Sequence, residues 1–386
     1  MKILINTIST KKISGGAFQI SQNFLLKSLE HNDIEWYYIT SQDLDDVIGT
    51  QFDEIRNERY FVFPTQPDFK HTYKRVKRLV RELEERIKPD VVYSVTAPSY
   101  FSFNAIEVMR FTNPWVAHPN KYSWSVLSLK NKIKTYLYCL NQKRLMRSAH
   151  YFITQAEATK QGILRITHEP SSHVDVVSNV LPATFMAMSN TPIVDDKWIN
   201  IAAVGAPVPH KNFDLIPKVL FELRRKGINN VRFHTTIPFE HPLAKKMQHI
   251  LEKNGLTDNW VNRGRLSQKE LGEMYRRCQF AFLPTLLEVF SASTVEAMFF
   301  NLPVVATRFD FNKEVLEDSC LYFEPKNAKD AACQIEKLVK DKALQEMCKK
   351  KMELELAKYG DYDAHFSAIK KILIEIATTG GNRMSN

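Results

Sequence analysis

Two carboxylates eight residues apart carry the strongest chemical signal in this sequence. Glu288 and Glu296 lie in the run Phe282-Leu-Pro-Thr-Leu-Leu-Glu288-Val-Phe-Ser-Ala-Ser-Thr-Val-Glu296. The apolar residues up to Pro284 predict a strand, and the segment from Ser293 predicts a helix with Glu296 in its first turn. A helix start offers free backbone N–H groups and the positive end of the dipole, and both attract phosphate. Ser293 and Thr294 occupy that start. A carboxylate just inside the helix can accept two vicinal hydroxyls, as on a ribose, and Glu288 on the preceding loop can meet a sugar hydroxyl. One turn then holds contacts for ribose, diphosphate and sugar. The competing reading of Ser293-x-x-Glu296 is a capping box, in which Glu296 only bonds back to the Ser293 N–H. The competing reading of Glu288 is an exposed loop acid.

Other residues have weaker signals. Gly15-Gly16 allows close backbone approach of a ligand, or is simply a turn. His118 ends a short predicted strand, Pro114–Ala117. It reads as a cleft residue bonding a sugar or an incoming acceptor, or as a capped core histidine. His31, His71 and His173 have no partner spacing that predicts a metal site. Asp43-Leu-Asp45-Asp46 reads as a solvated acid cluster in a loop, and no metal is assigned. Lys121–Arg147 holds seven basic residues and no acid, with Tyr122, Trp124, Tyr136 and Tyr138 interleaved. That pattern suits an anionic bilayer or a phosphate-bearing lipid acceptor. Nucleic acid and a merely solvated basic helix face are the alternatives.

These residues need elements to place them. Predicted strands are Lys2–Asn6, Ile34–Thr40, Asp90–Val95, Pro114–Ala117, Tyr151–Thr154 and Val174–Ser178, with helices over Phe18–Leu29 and Lys74–Lys88. The pattern restarts after the polar stretch Ser189–Lys197. Strands follow over Trp198–Val204, Val231–Thr235, Trp260–Asn262, Phe280–Pro284 and Val304–Thr307, separated by helices. Alternating strands and helices predict parallel sheets covered on both faces. The expected division is 1–185, 186–361 and a tail, 362–386, whose helix packs back on the first domain. Ligands in such sheets bind beyond the carboxyl ends of the strands.

Composition sets the bounds. The chain has 386 residues, room for two domains, and 12 glycines, too few for collagen. No apolar run approaches the ~18 residues of a membrane span. The odd number of cysteines, five, contains no CxxC pair and fits a reducing cytoplasm. The formal charge of +10 favours anionic partners.

The segment around Glu288 and Glu296 resembles the EX7E region of retaining GT-B glycosyltransferases, specifically glycosyltransferase family 4. The Glu-Ala-Met and Pro-Val-Val-Ala-Thr runs that follow match it too. Asn301 stands where the family usually has Gly, and Glu314 matches a further acidic residue. Gly15-Gly16, Trp115-Val-Ala-His118, Val204-Gly205…Lys211-Asn212 and Arg263-Gly264-Arg265 extend the likeness along most of the chain. The resemblance implies an α/β GT-B fold, two Rossmann-like domains facing across a cleft. It implies a retaining, metal-independent enzyme, moving a sugar from a nucleotide-sugar donor to a glycan or lipid-linked saccharide acceptor in bacterial surface polysaccharide biosynthesis. In that reading Glu288, His118 and Lys211 are catalytic. Glu296, Gly15, Gly16, Arg263, Ser293 and Thr294 bind the donor. No cofactor beyond the donor and no nucleic acid are expected. The location implied is cytoplasmic, peripheral at the inner membrane through Lys121–Arg147. One departure is Ala206, where the family places a diphosphate-clasping Arg. It motivates the alternative of a catalytically silent binding module.

Overall fold

The computed structural model describes residues 1–12, 16–67, 71–193 and 197–380. Gly15 lies outside them. The chain divides by contact into two units. The first holds Met1–His118, Lys134–Val177 and Asp363–Asn386, and the second Pro119–Ile133 and Ser178–Tyr362. Residues 119–133, which the linear reading places in 1–185, make their contacts in the second unit. There the Asn120 amide donates to the Leu286 carbonyl at 2.7 Å, and the Tyr122 ring meets Phe309 edge-on.

The first unit is built on seven strands: β1 Lys2–Thr7, β2 Glu35–Ser41, β3 Tyr60–Phe63, β4 Val91–Ser94, β5 Ile106–Arg110, β6 Tyr151–Thr154 and β7 Val174–Val176. All pair in parallel, in the order β3-β2-β1-β4-β5-β6-β7. Ile3, Leu4 and Ile5 are all fully buried, as a parallel strand covered on both faces requires. The second unit has six: β8 Ile199–Ala203, β9 Val231–Thr235, β10 Trp260–Asn262, β11 Phe280–Leu283, β12 Val304–Thr307 and β13 Leu321–Phe323. Their order is β10-β9-β8-β11-β12-β13, again all parallel. Each unit has its own core. In the second, Phe233 meets Phe282 edge-on and Phe282 stacks on Phe323, each pair with ring centroids 5.4 Å apart.

In both sheets the first strand sits in the middle and the strand order reverses beside it. β1 pairs with β2 on one side and β4 on the other, and β8 does the same with β9 and β11. Loops leaving the carboxyl ends of two such neighbours run to opposite faces and leave a crevice between them.

Two expectations are corrected. Pro114–Ala117 is a helical turn, not a strand. Asn113 caps it by accepting from the Trp115 N–H, and Pro114 at the first helical position needs no hydrogen-bond partner for its nitrogen. The strand there is Ile106–Arg110, whose charged Glu107 and Arg110 hide it from a pattern search even though both are buried. The acid cluster at 43–46 is likewise no loop. It forms the helix Gln42–Ile48, capped by Ser41, with Asp45 paired to Arg56 at 2.9 Å.

Candidate active site at the carboxyl ends of β8 and β11

Lys211 lies in the loop after β8, at the end of a tight turn, Pro209–Lys211. Asn212 follows in the left-handed conformation (φ 57°), which Asn tolerates better than most residues. Its buried side-chain amide donates to the Pro284 carbonyl at 3.2 Å, and the Leu286 N–H donates to the His210 carbonyl at 2.7 Å. These bonds tie the loop after β8 to the loop after β11. The tie brings the Lys211 ammonium onto Glu288, in an ion pair whose partners are each 15% exposed. Glu288 is therefore a sheltered, paired carboxylate rather than an exposed loop acid.

His210 is half-buried beside this pair. Desolvation pushes its pKa down to about 4; the Glu288 charge opposes that shift and the Lys211 charge reinforces it. At neutral pH the imidazole is uncharged, so His210 adds no positive charge beside Lys211. Ala206 itself is exposed.

The helix after β11 runs Ala292–Phe299, with Ser291 at its cap. It starts one residue earlier than the spacing predicts, so Glu296 enters the second turn and the Ser293-x-x-Glu296 capping box does not form. The Glu296 carboxylate instead accepts from the Tyr275 hydroxyl at 2.8 Å, and both side chains are buried. Burial raises the Glu296 pKa, while the Tyr275 bond and the Lys211 charge pull it down. Tyr275 is held by stacking on Phe300, with centroids 5.2 Å apart and planes 17° from parallel. The Ser293 hydroxyl pairs with Ser291 at 2.9 Å, and the Thr294 N–H donates to the Ser291 carbonyl. Asn301 takes the left-handed conformation (φ 56°) just past the helix, and the Leu302 N–H reaches back to the Ala297 carbonyl. Asn thus closes the helix in the role usually filled by glycine.

Arg263 leaves the carboxyl end of β10, two strands away from β8. It is exposed, and its Nε donates to His234 Nδ1 at 3.4 Å. In the first unit, His118 ends the Pro114–Ala117 turn, with its Nε2 3.1 Å from the Thr159 hydroxyl. The turn is pressed onto the Glu157–Thr167 helix at Gly162, where a Cβ would come within 2.3 Å of the Ala117 carbonyl. Gly16 opens the Gly16–Ser28 helix, and a Cβ there would meet nothing within 4 Å.

Lys211, Glu288, Glu296, Ser293 and Thr294 thus converge in the second unit. Tyr275 and Asn120 were not singled out by their spacing. Tyr275 reaches Glu296 from another helix, and nothing in the local pattern announces that contact. Among the described residues no group of three or more His, Cys, Asp or Glu is placed to hold a metal ion, and no helix is long and apolar enough to cross a membrane.

Residues 188–354 match the family of glycosyl transferases group 1. That match covers the second unit's sheet and the Glu288–Glu296 segment. An uncharacterised glycosyltransferase of Methanocaldococcus jannaschii is 29% identical over 143 residues, 36% of this chain and 38% of that protein, so the match spans well under half of the relative. Over the whole chain the likeness is one of fold. Anabaena HepE, solved in complex with UDP and glucose, superposes with a TM-score of 0.67 at 14% identity, covering 97% of this chain and 99% of that one. Sucrose-phosphate synthase of Thermosynechococcus elongatus superposes with a TM-score of 0.70 at 12% identity, covering 98% and 100%. The fold is GT-B.

Proposed function

We propose that the protein is a retaining, metal-independent glycosyltransferase. Its donor is a nucleotide diphosphate sugar, its acceptor a glycan or a lipid-linked saccharide, and its setting the cytoplasmic side of a membrane where a bacterial surface polysaccharide is made. The GT-B fold and the family match over 188–354 support glycosyl transfer. The observation that carries the residue assignment is the convergence of Lys211, Glu288 and Glu296 at the strand-order reversal between β8 and β11.

In this reading Glu296 accepts the ribose hydroxyls through the oxygen that Tyr275 does not occupy. The start of the Ala292–Phe299 helix, at Ser293–Thr294, faces the diphosphate. Lys211 leaves Glu288 to neutralise that diphosphate, and Glu288, so released, bonds the donor sugar. Arg263 serves the nucleotide end of the donor. His118 and Gly16 in the first unit, and Gly15 outside the described residues, are assigned by the family resemblance alone. The bond from the anomeric carbon to the diphosphate oxygen breaks. The acceptor hydroxyl oxygen bonds that carbon on the same face, and its proton passes to the departing phosphate oxygen. Charge builds on the leaving diphosphate, where fixed positive groups are most effective.

The Glu296→Gln variant tests the assignment. It is expected to lower kcat/KM for the donor about tenfold or more, by removing a charge-assisted hydrogen bond. Unchanged turnover at subsaturating donor overturns the role of Glu296. A melting screen against UDP-, GDP- and ADP-sugars identifies the donor, and NMR of the product's anomeric configuration tests retention. Ala206 favours a second reading, a silent binding module. Nucleotide binding with no transfer or hydrolysis of any donor would support that reading over the first.

A further inference from the structure

The helix Leu129–Met146 is turned inside out relative to an ordinary surface helix. Its buried side is carried by Cys139, Gln142 and Met146. Leu129, Ile133, Tyr136, Leu137 and Leu140 recur at i, i+4, i+7, i+8 and i+11, the spacing of one helix face. That face points to solvent: Leu129 is 75% exposed, Leu137 59% and Ile133 56%. The exposed cations Lys130 and Lys134 flank this face, Arg144 lies on it, and Arg147 lies just beyond its end. No acidic residue occurs anywhere in Lys121–Arg147.

We infer that this face docks on an anionic lipid surface, with the aliphatic stripe entering the headgroup–acyl boundary and the flanking Lys and Arg side chains meeting lipid phosphates. Large aliphatic side chains grouped at helical spacing on the solvent side would be left uncovered in water. A bilayer covers them, and a polybasic rim adds electrostatic attraction to anionic headgroups. Long Lys and Arg side chains reach up to the phosphate level while their stems lie against the apolar stripe. A second copy of the chain fits less well. A two-fold contact sets the same patch against itself, which would press an uninterrupted set of cations together. A nucleic acid would satisfy the cations and leave the Leu and Ile side chains without apolar cover.

This inference rests on the proposed function only in naming where a lipid-linked acceptor is met. It is tested without donor or turnover, so either idea can fail alone. The full-length protein is sedimented with vesicles of phosphatidylcholine alone or of phosphatidylcholine with phosphatidylglycerol. Binding is expected to the mixed vesicles and to weaken as salt is raised. Lys130→Gln and Lys134→Gln are each expected to lower partitioning about fivefold. The Leu137→Ser/Leu140→Ser double variant is expected to lower it about tenfold or more. All four side chains are exposed, and an unchanged melting curve verifies that the variants fold. Equal binding to both vesicle types, or wild-type partitioning of the Leu double variant, overturns the inference. So does a dimer in sedimentation analysis that the Leu double variant abolishes, or a salt-sensitive shift with random oligonucleotides in place of vesicle binding.

Discussion

Tyr275 donates to one oxygen of a buried carboxylate, and that bond has two measurable consequences. The hydroxyl stabilises the charged form of Glu296 against a burial that favours the neutral one. The groups facing this carboxylate are Tyr275 from the helix Gln268–Arg276 and Lys211 from the loop after β8, with Cys278 close to the Tyr275 hydroxyl. In Tyr275→Phe the bond is lost and Lys211 alone opposes desolvation, so the Glu296 pKa rises further. A donor that needs the carboxylate is then lost at a higher pH on the acid side of its binding profile. Affinity at neutral pH falls in proportion to the fraction of Glu296 that is protonated there. Calorimetric titration of the donor across pH measures both effects. Glu296→Gln has no such acid limb, so adding Tyr275→Phe to it should not move the profile. A shift in that double variant would mean that Tyr275 acts through packing alone. At this scale the sequence was partly legible. Glu288, Glu296 and Lys211 announce themselves by residue type and by likeness to a motif. The Tyr275 contact and the neutral state of His210 depend on which loops fold together, and no local pattern encodes that.

At the scale of elements, strands were readable where apolar and β-branched residues cluster between turn and helix signals. Tyr151–Thr154, Val231–Thr235, Trp260–Asn262 and Val304–Thr307 have the predicted limits. The short apolar runs Tyr60–Phe63 and Leu321–Phe323 were missed for their length, and β5 for polar residues made tolerable by tertiary contacts. β5 carries Glu107 into the core. The Ser94 hydroxyl donates to that carboxylate, and the Asn6 side-chain amide donates to Ser94 at 3.0 Å, which joins β1, β4 and β5. Burial raises the Glu107 pKa to about 8; the Ser94 and Ser99 bonds oppose the rise, and the Glu84 charge adds to it. A carboxyl whose folded pKa lies above its unfolded one stabilises fully below the unfolded value. That contribution is lost as pH rises through the folded one. Between the ordinary carboxyl range and about pH 8, Glu107 therefore costs up to about 1.4 kcal/mol of stability per pH unit. Glu107→Gln keeps the shape and removes the proton. Its unfolding free energy by denaturant is expected to fall less steeply with pH than that of the wild type, and to exceed it above pH 8. Parallel pH profiles of the two proteins would show that Glu107 does not titrate on unfolding.

The chain crosses between its two units four times, at 118/119, 133/134, 177/178 and 362/363, and the last crossing delivers the tail helix Tyr362–Thr379 to the first unit. A tail with apolar residues at helical spacing is simple to read as a helix, but the particular side chains it covers are not. Its Phe366 packs on Phe24 at 4.9 Å and stacks on His31 at 4.7 Å. Two ion pairs, Lys27–Asp363 at 2.7 Å and Lys370–Asp33 at 2.6 Å, flank that contact. Each has an exposed carboxylate, so each adds little, and the apolar contact dominates. Phe366 is fully buried, and Phe366→Ala is expected to destabilise the first unit by about 3–5 kcal/mol. The candidate donor residues Lys211, Glu288 and Glu296 belong to the other unit, with its own core. Calorimetric melting of the variant is therefore expected to show a lowered transition for the first unit. The nucleotide-sugar dissociation constant, measured below that transition, should stay within about twofold of wild type. A single transition lowered as a whole, with donor affinity falling in step, would show instead that the two cores unfold as one cooperative unit.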